Sequence, residues 1–150
     1  MKVSTRGRYA MKTLTDLALC NPDEYIHLND IACRQNISKK YLEQILPVLC
    51  KAGILQTSRG PAGGYKLCKD PSEISAAQIL SLTEGSLEVC HWLCDDETNA
   101  DLWGGLNSSI SDYLESITLD DLKKDELTRL ETEKTAAESS APVLSLQSQK

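Results

Sequence analysis

Apolar positions along the first half of the chain recur at helical spacing. Ala10, Leu14, Leu17 and Ala18 mark one face of a helix over residues 5–20, with Ser4 or Thr5 as N-cap. Asn21-Pro22-Asp23 ends it. A short helix follows over 28–36, with Asn29 as N-cap, Asp30 in the first turn and Ile31 and Ala32 facing inward. Ile37 turns the chain, and Ser38 caps a third helix over 39–51. Leu42, Ile45, Leu46 and Leu49 form its core stripe, while Lys39, Lys40, Glu43 and Gln44 lie largely off it. Pro47 removes a backbone bond inside this pattern, so a kink is expected there. Ala52-Gly53 supplies the stop.

The period then changes. Ile54-Leu55-Gln56-Thr57 reads as a strand and Tyr65-Lys66-Leu67-Cys68 as its returning partner. Between them, Arg59-Gly60-Pro61-Ala62-Gly63-Gly64 combines glycine freedom with the fixed φ of Pro61. It reads as a stiff hairpin tip that holds a guanidinium out into solvent. Such a tip suits a DNA minor groove, although an ordinary hairpin with an exposed arginine has the same local signature. Two helices, a turn, a longer helix and a two-stranded wing give the expected fold class. It is mainly α with a small β-hairpin, a winged helix-turn-helix over residues 1–70.

Asp70-Pro71 opens a second region. Ser75-x-x-Gln78 is a capping-box pattern before Ile79, Leu80 and Leu82, and Gly85 stops that helix. Residues 71–99 thus read as a linking helix and an irregular loop, the loop to which the family resemblance below assigns a sensor role. From 100 to 117 a stripe reappears at Leu102, Leu106, Ile110, Tyr113 and Ile117, close to a coiled-coil seam. The seam needs a cover, either its own domain or the same helix of a second copy. The second is favoured, because helix-turn-helix modules commonly bind DNA as dimers. Thr118 to Leu122 reads as a short closing helix, so that residues 100–123 form a dimerisation unit. The remainder, 124–150, is rich in Glu, Thr, Ser, Ala and Gln and reads as a disordered acidic tail.

Charge sharpens the picture. Residues 1–69 carry 11 Lys/Arg against 5 Asp/Glu, a net of +6, whereas 70–150 carry 5 against 17, a net of −12. A basic front half suits a polyanion partner, here double-stranded DNA. No run of about 18 apolar residues spans a membrane, and no apolar signal segment follows Met1, so a cytoplasmic protein is expected. In such a compartment Cys20, Cys33, Cys50 and Cys68 are expected as small buried apolar residues. No nucleophile–base set or phosphate loop appears, which argues against an enzyme.

Ile37-Ser38-x-x-Tyr41-Leu42-Glu43-Gln44-Ile45-Leu46, then Ala52-Gly53-Ile54-Leu55-x-x-Ser58-Arg59-Gly60-Pro61-x-Gly63-Gly64-Tyr65-x-Leu67, resembles the bacterial Rrf-two family of regulators. The opening Ser4-Thr5-Arg6-Gly7-Arg8-Tyr9-Ala10 and the closing Ile117-Thr118-Leu119-x-x-Leu122 agree. The resemblance covers about residues 1–123. It implies a homodimeric winged-helix transcription regulator, a repressor or an activator, on palindromic operators. The third helix would enter the major groove and the wing arginine the minor groove. Carried to this chain, Ser38, Tyr41, Glu43 and Gln44 would face DNA or its backbone, with Arg59 and Gly60 at the wing. The chemistry agrees: Gln pairs bidentately with adenine, Glu accepts from the cytosine amino group, and Lys39 and Lys40 suit phosphates. For Lys39 and Lys40 the alternative is plain solvation, and for Tyr41 it is partial burial. Lys40 stands where some members carry a small polar residue, so an operator sequence does not transfer.

Many members hold an iron–sulfur cluster through three cysteines before the dimer helix. This chain has Cys90 and Cys94 there, with Glu97 where the third would stand, Ala100 near the place of a histidine ligand, and Arg8 and Lys12 at first-helix ligand positions. Three readings stay open for Cys90, His91 and Cys94. They are a cluster completed by unusual ligands, a thiol switch or zinc site, and a decayed site with regulation through a protein partner or another effector. No cofactor is established by these residues, and a cluster is disfavoured by the missing third cysteine. A sequence-specific DNA-binding repressor or activator is the main expectation, with redox state, iron–sulfur status and cysteine metabolism as candidate signals. The alternative is an interaction module that docks a metabolic enzyme through the acidic half.

Overall fold

A computed structural model describes residues 3–88 and 99–139. Helix α1 (Thr5–Leu19) begins where the Ser4 side chain accepts from the Gly7 N–H, the expected cap. Helix α2 runs Leu28–Gln35 with His27, not Asn29, at its N-cap, and His27 gives no side-chain bond. The backbone carbonyl of His27 takes the Asp30 and Ile31 N–H groups instead. Asn36 then adopts φ 51°, ψ 47°, and the Ile37 N–H reaches back to the Ala32 carbonyl at 3.0 Å. This left-handed residue makes the turn of the helix-turn-helix, and buried Ile37 pins it. Helix α3 (Lys39–Lys51) follows, capped by Ser38, and it continues through Pro47 on its exposed side.

Strands β1 (Leu55–Ser58) and β2 (Gly64–Leu67) pair antiparallel, Leu55 opposite Leu67 and Ser58 opposite Gly64. Each lies one residue from its expected bounds. The hairpin has an anchor that strand patterning alone does not reveal. Ile26 and Tyr65 exchange both backbone bonds, at 3.0 and 2.9 Å, so the α1–α2 connection adds an antiparallel bridge beside β2.

A single turn of 3-10 helix (Pro71–Glu73) is closed by a capping box between Asp70 and Glu73. Helix α4 (Ala76–Glu84) starts at Ser75, whose hydroxyl oxygen accepts from the Gln78 N–H, and ends at Gly85 with φ 82°. Helix α5 spans Ala100–Ser116. The chain then returns to the start of α4, with the Ala76 N–H on the Ile117 carbonyl and the Leu119 N–H on the Ile74 carbonyl, both at 2.8 Å. The buried cluster is continuous across this junction: Leu14, Leu42, Ile45, Leu46, Leu49 and Ile54 pack with Ile74, Ile79 and Leu119.

Two expectations are corrected. The segment after 123 is not a structureless tail to its end: helix α6 runs Leu119–Ser139. Composition hides it because apolar residues are few. Ion pairs at helical spacing support it, Lys124 with Asp120 and Arg129 with both Glu126 and Glu133. Buried Leu119 and half-buried Leu122 hold its first turns on the core. Residues 140–150 of the expected tail lie outside the described residues. The four early cysteines are not buried either: Cys20 and Cys50 are half-buried, and Cys33 and Cys68 are exposed. Cys33 falls on the outer face of α2, and Cys68 lies just past the end of β2.

Candidate nucleic-acid interface

Helix α3 separates its residues sharply by face. Leu42, Ile45, Leu46 and Leu49 are fully buried, while Ser38, Lys39, Lys40, Glu43 and Gln44 are exposed. The cause is periodicity: with four core positions on one stripe, the residues between them must face outward. Ser38 accepts from the Tyr41 N–H at 3.3 Å and so fixes the first turn. Tyr41 is half-buried, edge-on to Tyr9 of α1 with ring centroids 5.0 Å apart and planes at 79°. That geometry suits the ring quadrupoles, and it ties the exposed end of α3 to α1.

At the wing, Arg59, Gly60, Pro61 and Ala62 are all exposed. The Gly63 N–H donates to the Gly60 carbonyl at 2.9 Å and closes the tip. Gly60 holds φ 100°, a region L side chains rarely enter. Gly64 is required for a different reason: a Cβ there would meet the Ile26 carbonyl oxygen at 2.3 Å. The glycines therefore hold Arg59 on a short, anchored loop. At the base of the wing, burial pushes the Tyr65 phenol up, so it stays a neutral hydroxyl beside Thr57. On the other side, the Lys66 ammonium lies 5.0 Å from the Tyr25 ring centroid.

A buried carboxylate ties α1 to α2. Asp16, on the inner face of α1, accepts from Arg34 Nε at 2.9 Å, from the Arg34 guanidinium NH2 at 2.6 Å and from Gln35 Nε2 at 2.9 Å. Asp16 is 6% exposed, so these bonds join α1 to α2 in a poorly hydrated place. Sequence patterning misses the Asp16–Arg34 pair because its members are 18 residues apart. A carboxylate amid the apolar stripe of α1 is the signal that could have found it.

The stripe on α5 lies largely open. Leu102, Leu106 and Tyr113 are 61%, 39% and 65% exposed, and Ile110 and Ile117 are half-buried. Cys90, His91 and Cys94 lie outside the described residues. No group of three or more His, Cys, Asp or Glu suited to a metal occurs among the described residues. Arg8, at an expected first-helix ligand position, is an exposed cation.

These features define a winged helix-turn-helix protein with an appended helical unit. The Rrf2 (Rrf-two) family model, described as iron-dependent transcriptional regulator, matches residues 3–125, and this chain belongs to that family. The HTH-type transcriptional regulator IscR of Photobacterium profundum is 37% identical over 132 residues, covering 83% of this chain and 77% of the relative. Among solved structures, CymR, the global cysteine regulator of B. subtilis, superposes with a TM-score of 0.76 at 34% identity, covering 83% of this chain and 97% of that one. The IscR of T. potens superposes at 0.71 with 39% identity, covering 84% and 88%. The chain is therefore a DNA-binding transcriptional regulator by family, and no enzymatic family is indicated. The enzyme-docking alternative draws no support from these relatives. No helix among the described residues is long and apolar enough to cross a membrane.

Proposed function

We propose that two copies of this chain bind a two-fold symmetric operator in double-stranded DNA, each with α3 in the major groove and Arg59 in the adjacent minor groove. The carrying observation is the division of α3: a fully buried leucine and isoleucine stripe backs an exposed Ser38, Lys39, Lys40, Glu43 and Gln44. Gln44 and Glu43 supply hydrogen-bond acceptors and donors for base edges, Gln44 toward adenine and Glu43 toward the cytosine amino group. Lys39 and Lys40 meet phosphates and set the register without reading sequence. Arg59 and Gly60 at the wing tip read groove width, because a narrow minor groove concentrates negative potential. Leu102, Leu106, Ile110, Tyr113 and Ile117 meet the same residues of the second copy, which removes an apolar stripe from water and sets the half-site spacing.

The matching family model is described as an iron-dependent transcriptional regulator, and CymR is the global cysteine regulator of B. subtilis. We carry Cys90, His91 and Cys94 forward as the residues through which this chain receives a thiol- or metal-borne signal. The two cysteines, with Glu97 at the third cysteine's place, Ala100 near that of a histidine ligand, and Arg8 and Lys12 at the first-helix positions, do not complete the set of four that a stable cluster takes.

Fluorescence anisotropy with operator and scrambled duplexes tests the proposal. Arg59→Ala is expected to weaken operator binding by about tenfold or more, at unchanged melting temperature. Unchanged operator affinity in that variant contradicts the wing assignment.

A further inference from the structure

Glu84 is the last residue of α4, yet its carboxylate serves α1. Ser4 Oγ donates to Glu84 Oε1 at 2.7 Å, and the Ser4 N–H donates to Oε2 at 3.2 Å. The Ser4 oxygen meanwhile accepts from the Gly7 N–H at 3.2 Å. Its hydroxyl proton is therefore committed to Glu84, and the N-cap becomes a relay between a distant carboxylate and the first turn of α1. The placement is favourable twice over. A negative charge sits at the positive end of a helix dipole, and two donors with no intrahelical partner are satisfied. It is also close: a Cβ on buried Gly7 would stand 2.3 Å from Glu84 Oε1, so only glycine lets the carboxylate approach.

This contact sits between two other parts of the molecule. Immediately after Glu84, Gly85 takes φ 82° and the chain leaves the helix. Further along α1 from Ser4, Tyr9 packs edge-on to Tyr41, at the end of α3 that displays Lys39, Lys40, Glu43 and Gln44. Any displacement of the end of α4 thus pulls on the N-terminus of α1, and α1 carries the ring that seats Tyr41.

We infer that Glu84 is a positioning residue for operator reading: its carboxylate latches the N-terminus of α1 and so sets the Tyr9–Tyr41 contact that orients the exposed end of α3. The inference rests on the reading that α3 contacts DNA, and it links the end of α4 to that helix. With the latch closed, Tyr41 is held at the angle operator binding needs. With it open, the lysines still meet phosphates but Glu43 and Gln44 lose their register.

The test compares full-length wild type with Glu84→Ala, Glu84→Gln and Gly7→Ala. Operator and scrambled-duplex affinities are read by anisotropy, and the Tyr41 ring resonances by NMR without DNA. Glu84→Ala and Gly7→Ala are expected to lose about tenfold in operator affinity, with scrambled-duplex affinity unchanged and the Tyr41 resonances shifted. Glu84→Gln keeps an acceptor for Ser4 Oγ and is expected to recover part of the loss. Unmoved Tyr41 resonances, or equal losses on both duplexes, overturn the latch. A wild-type chain that does not distinguish the two duplexes overturns the DNA reading itself, which is seen before any variant is made.

Discussion

Asp16 and Arg34 form a two-point ion pair between α1 and α2, closing at 2.9 Å through Nε and at 2.6 Å through the guanidinium NH2. The partners are unequally placed: the Asp16 side chain is 7% exposed and that of Arg34 is 41% exposed. Removing the arginine strands a buried carboxylate with Gln35 as its remaining donor, whereas removing the aspartate leaves an arginine that turns into water. Arg34→Ala is therefore expected to cost more stability than Asp16→Ala, about 2–3 against about 1–2 kcal/mol. Urea unfolding midpoints of the two variants check the order, and equal losses contradict it.

At two wing glycines, Gly63 and Gly64, a methyl group would strike backbone: a Cβ on Gly63 would meet the Ser58 carbonyl oxygen at 2.3 Å. At Gly64 a Cβ would meet the Ile26 carbonyl oxygen at 2.3 Å and its carbon at 2.5 Å, both backbone atoms that cannot swing aside. Gly64→Ala is expected to break the Ile26–Tyr65 rung and cost about 2–3 kcal/mol. Gly60→Ala meets open space and bears mainly its φ of 100°, about 1–2 kcal/mol. Thermal melts, with amide exchange at Ile26 and Tyr65, separate them. Protection at Ile26 should be lost only in the first variant.

Acid sensitivity is expected at the start of α6. The hydroxyl and N–H of Thr118 both donate to the Asp121 carboxylate, at 2.6 and 2.9 Å, and these bonds hold its pKa below the ordinary 3.8. The folded state thus binds this proton less readily than the unfolded state. The stabilisation is fully present above about pH 5 and is lost as pH falls through the folded value. Asp121→Asn should melt lower than wild type at pH 7, with the gap closing as pH falls through the folded value. A gap that stays constant from about pH 7 to about pH 2 contradicts the assignment.

Salt dependence distinguishes phosphate contacts from base contacts. Lys40→Ala should weaken operator and scrambled duplexes alike. It should also reduce the slope of log K against log salt by about 0.9 for each phosphate left without its ammonium, hence about 1.8 for a dimer. Gln44→Ala should lower operator affinity alone and leave the slope unchanged. Titrations at several salt concentrations check both, and an unchanged slope in Lys40→Ala identifies that ammonium as merely solvated.

Local features are legible in the residues, and contacts between distant segments are not. Ser38 as a cap, the stripe of Leu42, Ile45, Leu46 and Leu49, and the glycine-bearing wing each depend on neighbours within a few positions. The α2 cap falls at His27 rather than Asn29 because helix ends are set by backbone bonds that side-chain preference predicts only loosely. Asp16 with Arg34, Ile26 with Tyr65 and Ser4 with Glu84 join segments whose proximity only the folded chain creates. Helix α6 is more recoverable from the residues. Asp120, Lys124, Glu126, Arg129 and Glu133 stand at helical spacing, but a low apolar content outweighs that charge pattern. Tyr41 reads from the sequence as either a DNA-facing or a partly buried residue. Its half-buried seat against Tyr9 leaves its outer edge available for the first role.

Selection of bound duplexes from a randomised pool is the most direct measurement of whether paired subunits read DNA through α3. The account predicts enrichment of a two-fold symmetric sequence by the wild-type chain, with Gln44→Ala losing preference at one base pair in each half-site. Recovery of sequences without symmetry, or of none above the starting pool, would contradict it.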